Sequence, residues 1–500
     1  MKLIDPGNAA FDDLIQNNNL YVDKTSYMYK LITDGVKFHF LSRPRRFGKS
    51  LTISTLEAIF KAKRELFKGL YIDSADYEWK EYPMIRINFS SITYLNNDDF
   101  IRKIKNEVCR IAKRYGVDIP LDYSYDDSLN LLIEELSERE KVVILIDEYD
   151  APLTNNINSD NIEDIRSILR GFYSVIKAQD GNIRFCFITG VTKFSKMSIF
   201  SAMNNLIDIS LSDEYATMFG YTEKELEDNF SEYIELGMKN IERNRDEYLS
   251  LIKKWYDGYS FSPRGEKVYN PVSIGCFFRD GGDEFSPYWI DTGGMSYLLI
   301  EIAKRVKFDI TKDIEIKMPK EALQSVDIIQ MARTEINKDN FLSLLYQTGY
   351  LTIKEAKKLG GSYLFTLGYP NEEVKRGLSG ILLPLYLGKN TSPYRSIRIL
   401  NFFEEGKVDE ALEEMKAIYA SIPYNELVYD RESAWHASFL SMMKIIGADI
   451  IGGVSTSMGW IDAVLTCPDD IYIIEFKYDK STDNRTDKEE EILRTVSDNG

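Results

Sequence analysis

Apolar positions in the first two hundred residues come in two alternating rhythms. Short, nearly continuous apolar runs occur at Val36–Leu41, Met84–Phe89, Val142–Ile146, Arg184–Ile188 and Leu206–Ile209. Between them, Ser50–Ala62, Phe100–Tyr115 and Asn161–Gln179 carry apolar residues at helical spacing. Buried strands separated by helices predict a parallel sheet covered on both faces, an α/β architecture. From Tyr221 onward the pattern predicts mainly helix, with Thr222-Glu223-Lys224-Glu225 as a start signal. An aromatic, glycine-containing segment, Trp255–Phe261, interrupts it and is followed by Val268-Tyr269-Asn270-Pro271. Residues 300–395 read as helical with some short strands. The last hundred residues are mixed: a helical pair over about 408–445, then strand-like runs at Trp460–Leu465 and Ile471–Tyr478. The expected division is a parallel-sheet domain over 1–215, a mainly helical middle or lid region over 216–395, and a second α/β domain over 396–500. No internal repeat or low-complexity linker marks the boundaries.

A length of 500 residues exceeds what one hydrophobic core supports. Apolar and charged fractions of 44% and 28% are those of an ordinary globular protein. No run of 18 apolar residues predicts a membrane span, and Met1–Pro6 reaches an acid at once, unlike a signal peptide. Four scattered cysteines (Cys109, Cys186, Cys276, Cys467) form no CxxC pair, so reduced thiols and a cytoplasmic location are expected. Two histidines, His39 and His436, argue against a multi-histidine metal centre. The formal net charge of −17 repels nucleic acid over most of the surface, so any such contact must come from a local basic groove.

The first motif with chemistry is Ser42-Arg43-Pro44-Arg45-Arg46-Phe47-Gly48-Lys49-Ser50, between a strand and a helix. Strand, tight loop and helix are what a triphosphate needs. Amides at the helix start, including that of Leu51, face the phosphates. Lys49 neutralises β/γ charge, Ser50 offers a hydroxyl to Mg²⁺, and Gly48 lets the backbone come close. The first glycine of the GxxxxGK[ST] pattern falls on Arg43, so the formal pattern fails while its context holds. A basic turn before a core helix is the plainer alternative. Arg43, Arg45 and Arg46 could touch phosphate, act in trans on a neighbour in an oligomer, or pair with surface acids. Val142–Ile146 then runs into Asp147-Glu148. Asp147 is the candidate to hold Mg²⁺ beside Ser50, and Glu148 to orient or deprotonate water. The fourth strand ends in Thr189-Gly190, with Thr189 the candidate sensor of the γ-phosphate.

Tyr21-Val22-Asp23-Lys24-Thr25, Arg43–Ser50, Ile146-Asp147-Glu148-Tyr149-Asp150 and Thr189-Gly190-Val191 together resemble the bacterial AAA-ATPase-like family. Its members often carry a C-terminal nuclease-like domain of the PD-(D/E)XK superfamily. The resemblance spans nearly the whole chain, including Tyr256–Tyr259 and Tyr269-Asn270-Pro271. It implies a P-loop NTPase sheet domain that uses ATP and Mg²⁺. In this family an arginine-rich loop replaces the glycine-first form.

The C-terminal runs carry a third constellation: Asp462 on one strand, then Glu475 and Lys477 on the next. Alternation puts Glu475 and Lys477 on one face and Ile474 and Phe476 on the other. If the strands pair, Asp462 lies beside Glu475. Two carboxylates suit Mg²⁺ or Mn²⁺, and a lysine can hold the attacking water. Such residues are equally ordinary on the solvent face of a hairpin. The family resemblance implies the D…ExK site of a nuclease, with Glu432 as an added helical acid and His436 one turn on. The superfamily continues after ExK with a helix and a strand, whereas Ser481–Gly500 is a charged stretch with no strand signal. An inactive remnant that only binds nucleic acid or a protein is therefore a second expectation. Trp255, Tyr256, Tyr259 and Phe261 could stack on bases, but aromatic residues around an Asp-Gly turn more often form a local core.

Overall fold

A computed structural model describes residues 1–157, 161–194, 203–293, 316–324, 326, 338–378, 393–420, 436, 439–440, 442–444, 446–455, 460–467 and 470–477. The chain divides into two compact units: Met1–Val306 with Ile314–Val374, and Lys307–Asp313 with Lys375–Gly500.

The first unit opens with helices α1 (Phe11–Gln16) and α2 (Thr25–Thr33). There follow β1 (Phe38–Ser42), α3 (Lys49–Phe60), β2 (Met84–Asn88), α4 (Asn97–Tyr115), α5 (Tyr125–Ser137), β3 (Val142–Asp147), α6 (Ile162–Ala178), β4 (Ile183–Gly190) and β5 (Ile207–Asp208). The strands form one sheet in the order β2-β3-β4-β1-β5, and every neighbouring pair is parallel. Strand β3 is buried at all six positions, as expected for a strand with helices on both faces. Helix α5 falls where no element was expected. Ser124 caps it by accepting from the Asp127 amide at 3.2 Å.

Of the expected middle region, residues 216–306 and 314–374 belong to the same compact unit as the sheet, and 307–313 and 375–395 to the second. Thr222 and Glu225 form a reciprocal capping box at the start of α7 (Glu223–Asn240). Helices α8 (Arg245–Tyr256), α9 (Pro271–Arg279) and α10 (Tyr288–Gly293) follow. Phe230, Ile234, Tyr248, Ile252, Tyr256, Phe277 and Phe278 bury their faces in one cluster, joined by Val22 from the N-terminal motif. Tyr256, Tyr259 and Phe261 are buried, so the aromatic segment is a core. Phe47 of the arginine-rich loop packs edge-on against Tyr259 (4.8 Å) and Phe261 (5.2 Å). Beyond lie β6 (Ile316–Pro319), α11 (Lys338–Thr348), β7 (Thr352–Leu359) and β8 (Ser362–Gly368), with the strands in an antiparallel sheet of order β6-β8-β7.

In the second unit, helices α12 (Pro393–Glu404) and α13 (Val408–Ala420) precede β9 (Asp449–Ser455), β10 (Trp460–Thr466) and β11 (Ile471–Ile474). These strands form an antiparallel sheet of order β11-β10-β9. The run expected to reach Tyr478 ends as a strand at Ile474. The Phe476 amide donates instead to Asp462 Oδ2 at 2.8 Å, which replaces a ladder bond with a side-chain one. Glu432, most of the expected helix around it and the Ser481–Gly500 tail lie outside the described residues.

Candidate phosphate loop and carboxylate pair

Sheet order brings the first site together. Strand β4 lies between β1, which leads into the loop, and β3, which ends in Asp147. Leu41 pairs with Thr189, Ser42 with Gly190, and Ile146 with Ile188. The end of β4 therefore stands beside both the loop and the acid. Gly48 has φ 92°, and a Cβ there would meet no atom within 4 Å, so the glycine answers to conformation rather than crowding. Helix α3 starts at Lys49 with no side-chain cap. Its first amides are left to serve an anion, which the helix dipole also favours.

Lys49 is buried, and its Nζ donates to the carbonyls of Arg43 (2.9 Å) and Pro44 (2.7 Å). Burial pulls its pKa down to about 8, against the attraction of Asp147 and Glu148. Ser50 Oγ donates to Asp147 Oδ2 at 2.6 Å. Asp147 is fully buried, and that desolvation pushes its carboxyl above the usual range. Glu148 takes a left-handed backbone at φ 49°, costly for a side chain with a Cβ, and its side chain borders the cavity. Thr189 Oγ1 is buried with no hydrogen-bond partner among the described residues. Two hard oxygen ligands, a buried ammonium, an uncapped helix end and an orphaned hydroxyl in one place suit a magnesium-bound triphosphate.

The three loop arginines part company. Arg43 fills none of its expected roles. It is 2% exposed, donates to the carbonyls of Ser42 (2.9 Å), Ser210 (2.7 Å) and Tyr215 (3.3 Å), and sits 4.3 Å over the Phe261 ring. It is a strut beneath the loop, and burial lowers its pKa to about 10. Arg45 lines the cavity, while Arg46, at φ 66°, donates to the Thr292 carbonyl at 2.9 Å.

A cavity of about 750 Å³ opens from the loop. Arg45, Arg46, Gly48, Lys49, Ser50, Leu51 and Glu148 line one end. Ile4–Ala9, Tyr21, Val22, Met218–Tyr221, Phe230 and Pro271 line the rest. Lys24, at its border, donates to both oxygens of Glu225 (2.7 Å) and to the Thr217 carbonyl (2.7 Å).

In the second unit, Ala463 pairs with Ile474 as the last rung of the ladder; continued one step, that register would set Asp462 across from Glu475, which lies just past the strand end. Glu475 and Lys477 are exposed while Ile474 and Phe476 are half-buried, as the alternation predicts. His436 shares a hydrogen bond with the Asp462 carbonyl at 2.9 Å, and its ring lies 5.0 Å from that of Phe476. Among the described residues no group of three or more acidic, cysteine or histidine side chains is placed to hold a metal ion. No described helix is long and apolar enough to cross a membrane.

A family model described as a predicted AAA-ATPase matches residues 6–200, and a model of the PD-(D/E)XK nuclease superfamily matches residues 430–500. Over 465 residues the chain is 34% identical to an uncharacterized protein in the vnfD 5′ region of Azotobacter chroococcum mcd 1, covering 91% of this chain and 85% of that protein. The chain belongs to the AAA-ATPase-like family.

Two features of this AAA-ATPase-like chain escaped the sequence. The far wall of the cavity comes from Ile4–Ala9 and Met218–Tyr221, whose signals, the turn at Pro6-Gly7 and Gly220 at φ 81°, are too common to mark a site. The role of Asp150, which stands in the Ile146–Asp150 motif without an assigned task, is the other. Fully buried, Asp150 accepts from the amides of Val191 (3.2 Å) and Thr192 (2.7 Å) and from the Thr192 hydroxyl (2.7 Å), tying the turn after β3 to the end of β4. A Cβ on Gly190 would stand 2.5 Å from its carboxylate.

Proposed function

We propose that the first unit binds and hydrolyses ATP, and that nucleotide turnover governs a metal-dependent, nuclease-like site in the second. The Ser50–Asp147 contact, on a loop-first helix beside the orphaned Thr189 hydroxyl, carries this reading. Lys49 exchanges the carbonyls of Arg43 and Pro44 for phosphate oxygens. Ser50 and Asp147 would hold Mg²⁺, which neutralises phosphate charge when bound. Glu148 holds the attacking water and accepts its proton. Thr189 donates to the γ-phosphate. The wall from Ile4 to Ala9 and around Tyr221, which mixes apolar Ile4, Pro6 and Ala9 with polar Asp5 and Asn8, takes the base. In the second unit Asp462 and Glu475 would hold a divalent ion, and Lys477 orients the water on the same face.

A second reading, a nucleotide-driven switch whose C-terminal domain binds a partner without cutting it, draws on the Asp462 carboxylate. One of its oxygens is already engaged by the Phe476 amide. Purified protein incubated with ATP and with labelled single- and double-stranded DNA, in Mg²⁺ or Mn²⁺, separates the two. The expected result is ATP hydrolysis lost in Lys49→Ala and cleavage lost in Asp462→Asn. Hydrolysis without cleavage would select the switch. No ATP binding by wild type would sink both.

A further inference from the structure

Behind the loop runs a short chain of buried hydrogen bonds that none of the motifs marks. Glu373 is fully buried, within a helix over 372–378, and Lys375 is where the second unit resumes. Its Oε1 accepts from the backbone amide of Trp289 at 2.7 Å, and its two oxygens accept from the Ser273 hydroxyl at 3.0 and 2.8 Å. Trp289 is the second residue of α10, so its amide is one of the donors that a helix start leaves without an internal partner. The carboxylate thus fixes α10 to α9. The Trp289 indole points the other way, and Nε1 donates to the carbonyl of Arg45 at 3.0 Å. That carbonyl belongs to the phosphate loop itself. The ring is 4% exposed and packs 5.1 Å from Tyr350. Gly349, at φ 92°, closes the arrangement: a Cβ there would lie 2.8 Å from Pro44 and 3.3 Å from the Trp289 ring.

We propose that Glu373 is a positioning residue of the nucleotide site, acting through Trp289. Resting on the ATP reading above, it adds a residue that holds the loop of that site in place. Trp289 holds the Arg45 carbonyl outward, which keeps the amides that follow it turned toward the phosphates. Glu373 sets where Trp289 stands. Lys49 leaves the neighbouring carbonyls of Arg43 and Pro44 to reach phosphate, so nucleotide binding shifts the same stretch of backbone that the indole grips.

The test uses the full chain, with ATP affinity measured by calorimetry on wild type, Glu373→Ala, Glu373→Gln, Trp289→Phe and the Glu373→Ala/Trp289→Phe double variant. Melting temperature is followed alongside. Each of Glu373→Ala and Trp289→Phe is expected to weaken ATP binding about tenfold, with the double variant no weaker than either, since both cut one path. Glu373→Gln, whose amide oxygen still accepts from the Trp289 amide, is expected to restore binding to within about threefold. A general loss of packing would not be rescued by glutamine and would add in the double variant. ATP affinity unchanged in Trp289→Phe, or additive losses, would overturn the relay while leaving ATP binding intact. Failure of wild type to bind ATP refutes the underlying reading instead. Should Glu373→Ala not fold, Trp289→Phe and Glu373→Gln decide the matter.

Discussion

A single ammonium carries most of the charge logic at the loop. Lys49 has its folded pKa lowered to about 8 by burial, below the ordinary lysine value, so its neutral form accumulates above about pH 8. ATP requires the cation. Binding is therefore expected to weaken as pH rises from 7 to 9 and to take up protons over that range, which calorimetry in buffers of different ionisation heat reads directly. A pH-independent affinity would contradict the assignment. Arg43 gives the opposite expectation. As a strut holding three carbonyls, it contributes to folding before it contributes to chemistry. Arg43→Met keeps much of the volume and loses the donors, leaving buried carbonyls unpaired. It should cost roughly 2–3 kcal/mol in urea unfolding, a loss that a phosphate-contacting arginine at the surface would not produce.

At the scale of elements, the N-terminal motif and the helical region are locked together at one point. Buried Lys24 pairs with the half-buried Glu225, and Glu225 also closes the capping box that starts α7. Lys24→Met removes the cation and leaves the carboxylate half-paired, at a cost of about 2 kcal/mol. Faster amide exchange at the start of α7 is the expected signature, and unchanged exchange would show that packing of Val22 suffices. The elements themselves were largely legible. Strands β1 to β4 and helices α3, α4 and α6 follow the apolar rhythm to within a few residues, because a buried parallel strand has no polar face to blur it. Helix α5 was missed, for its acidic first turn hides the apolar stripe of Leu129, Leu132, Ile133 and Leu136. At the candidate site, Lys49, Ser50, Asp147 and Thr189 are legible as positions at or just past the ends of strands. Trp289 and Glu373 could not, since a tryptophan and a glutamate in a helical stretch look like any others until the backbone they touch is known. Arg43 misled because proximity to Lys49 in sequence says nothing about which way a side chain turns.

For the molecule as a whole, the division into two compact units predicts separable unfolding. Scanning calorimetry should resolve two transitions, and saturating ATP should raise only the one belonging to the five-stranded sheet, by about 2.7 kcal/mol at a hundredfold excess over Kd. One transition shifted as a block would mean that the units unfold together. The order of strands in that sheet also has a consequence in time. Among the described residues strand β1 pairs only with β4 and β5, which come far later in the chain, at Cys186 and Ile207. During synthesis the loop emerges early but has no neighbouring strand until β4 has left the ribosome, on the order of ten seconds later at ordinary elongation rates. Throughout that interval the loop stands without its sheet, so whatever anion it takes can reward this fold only after β4 has docked and cannot guide the earlier steps of assembly.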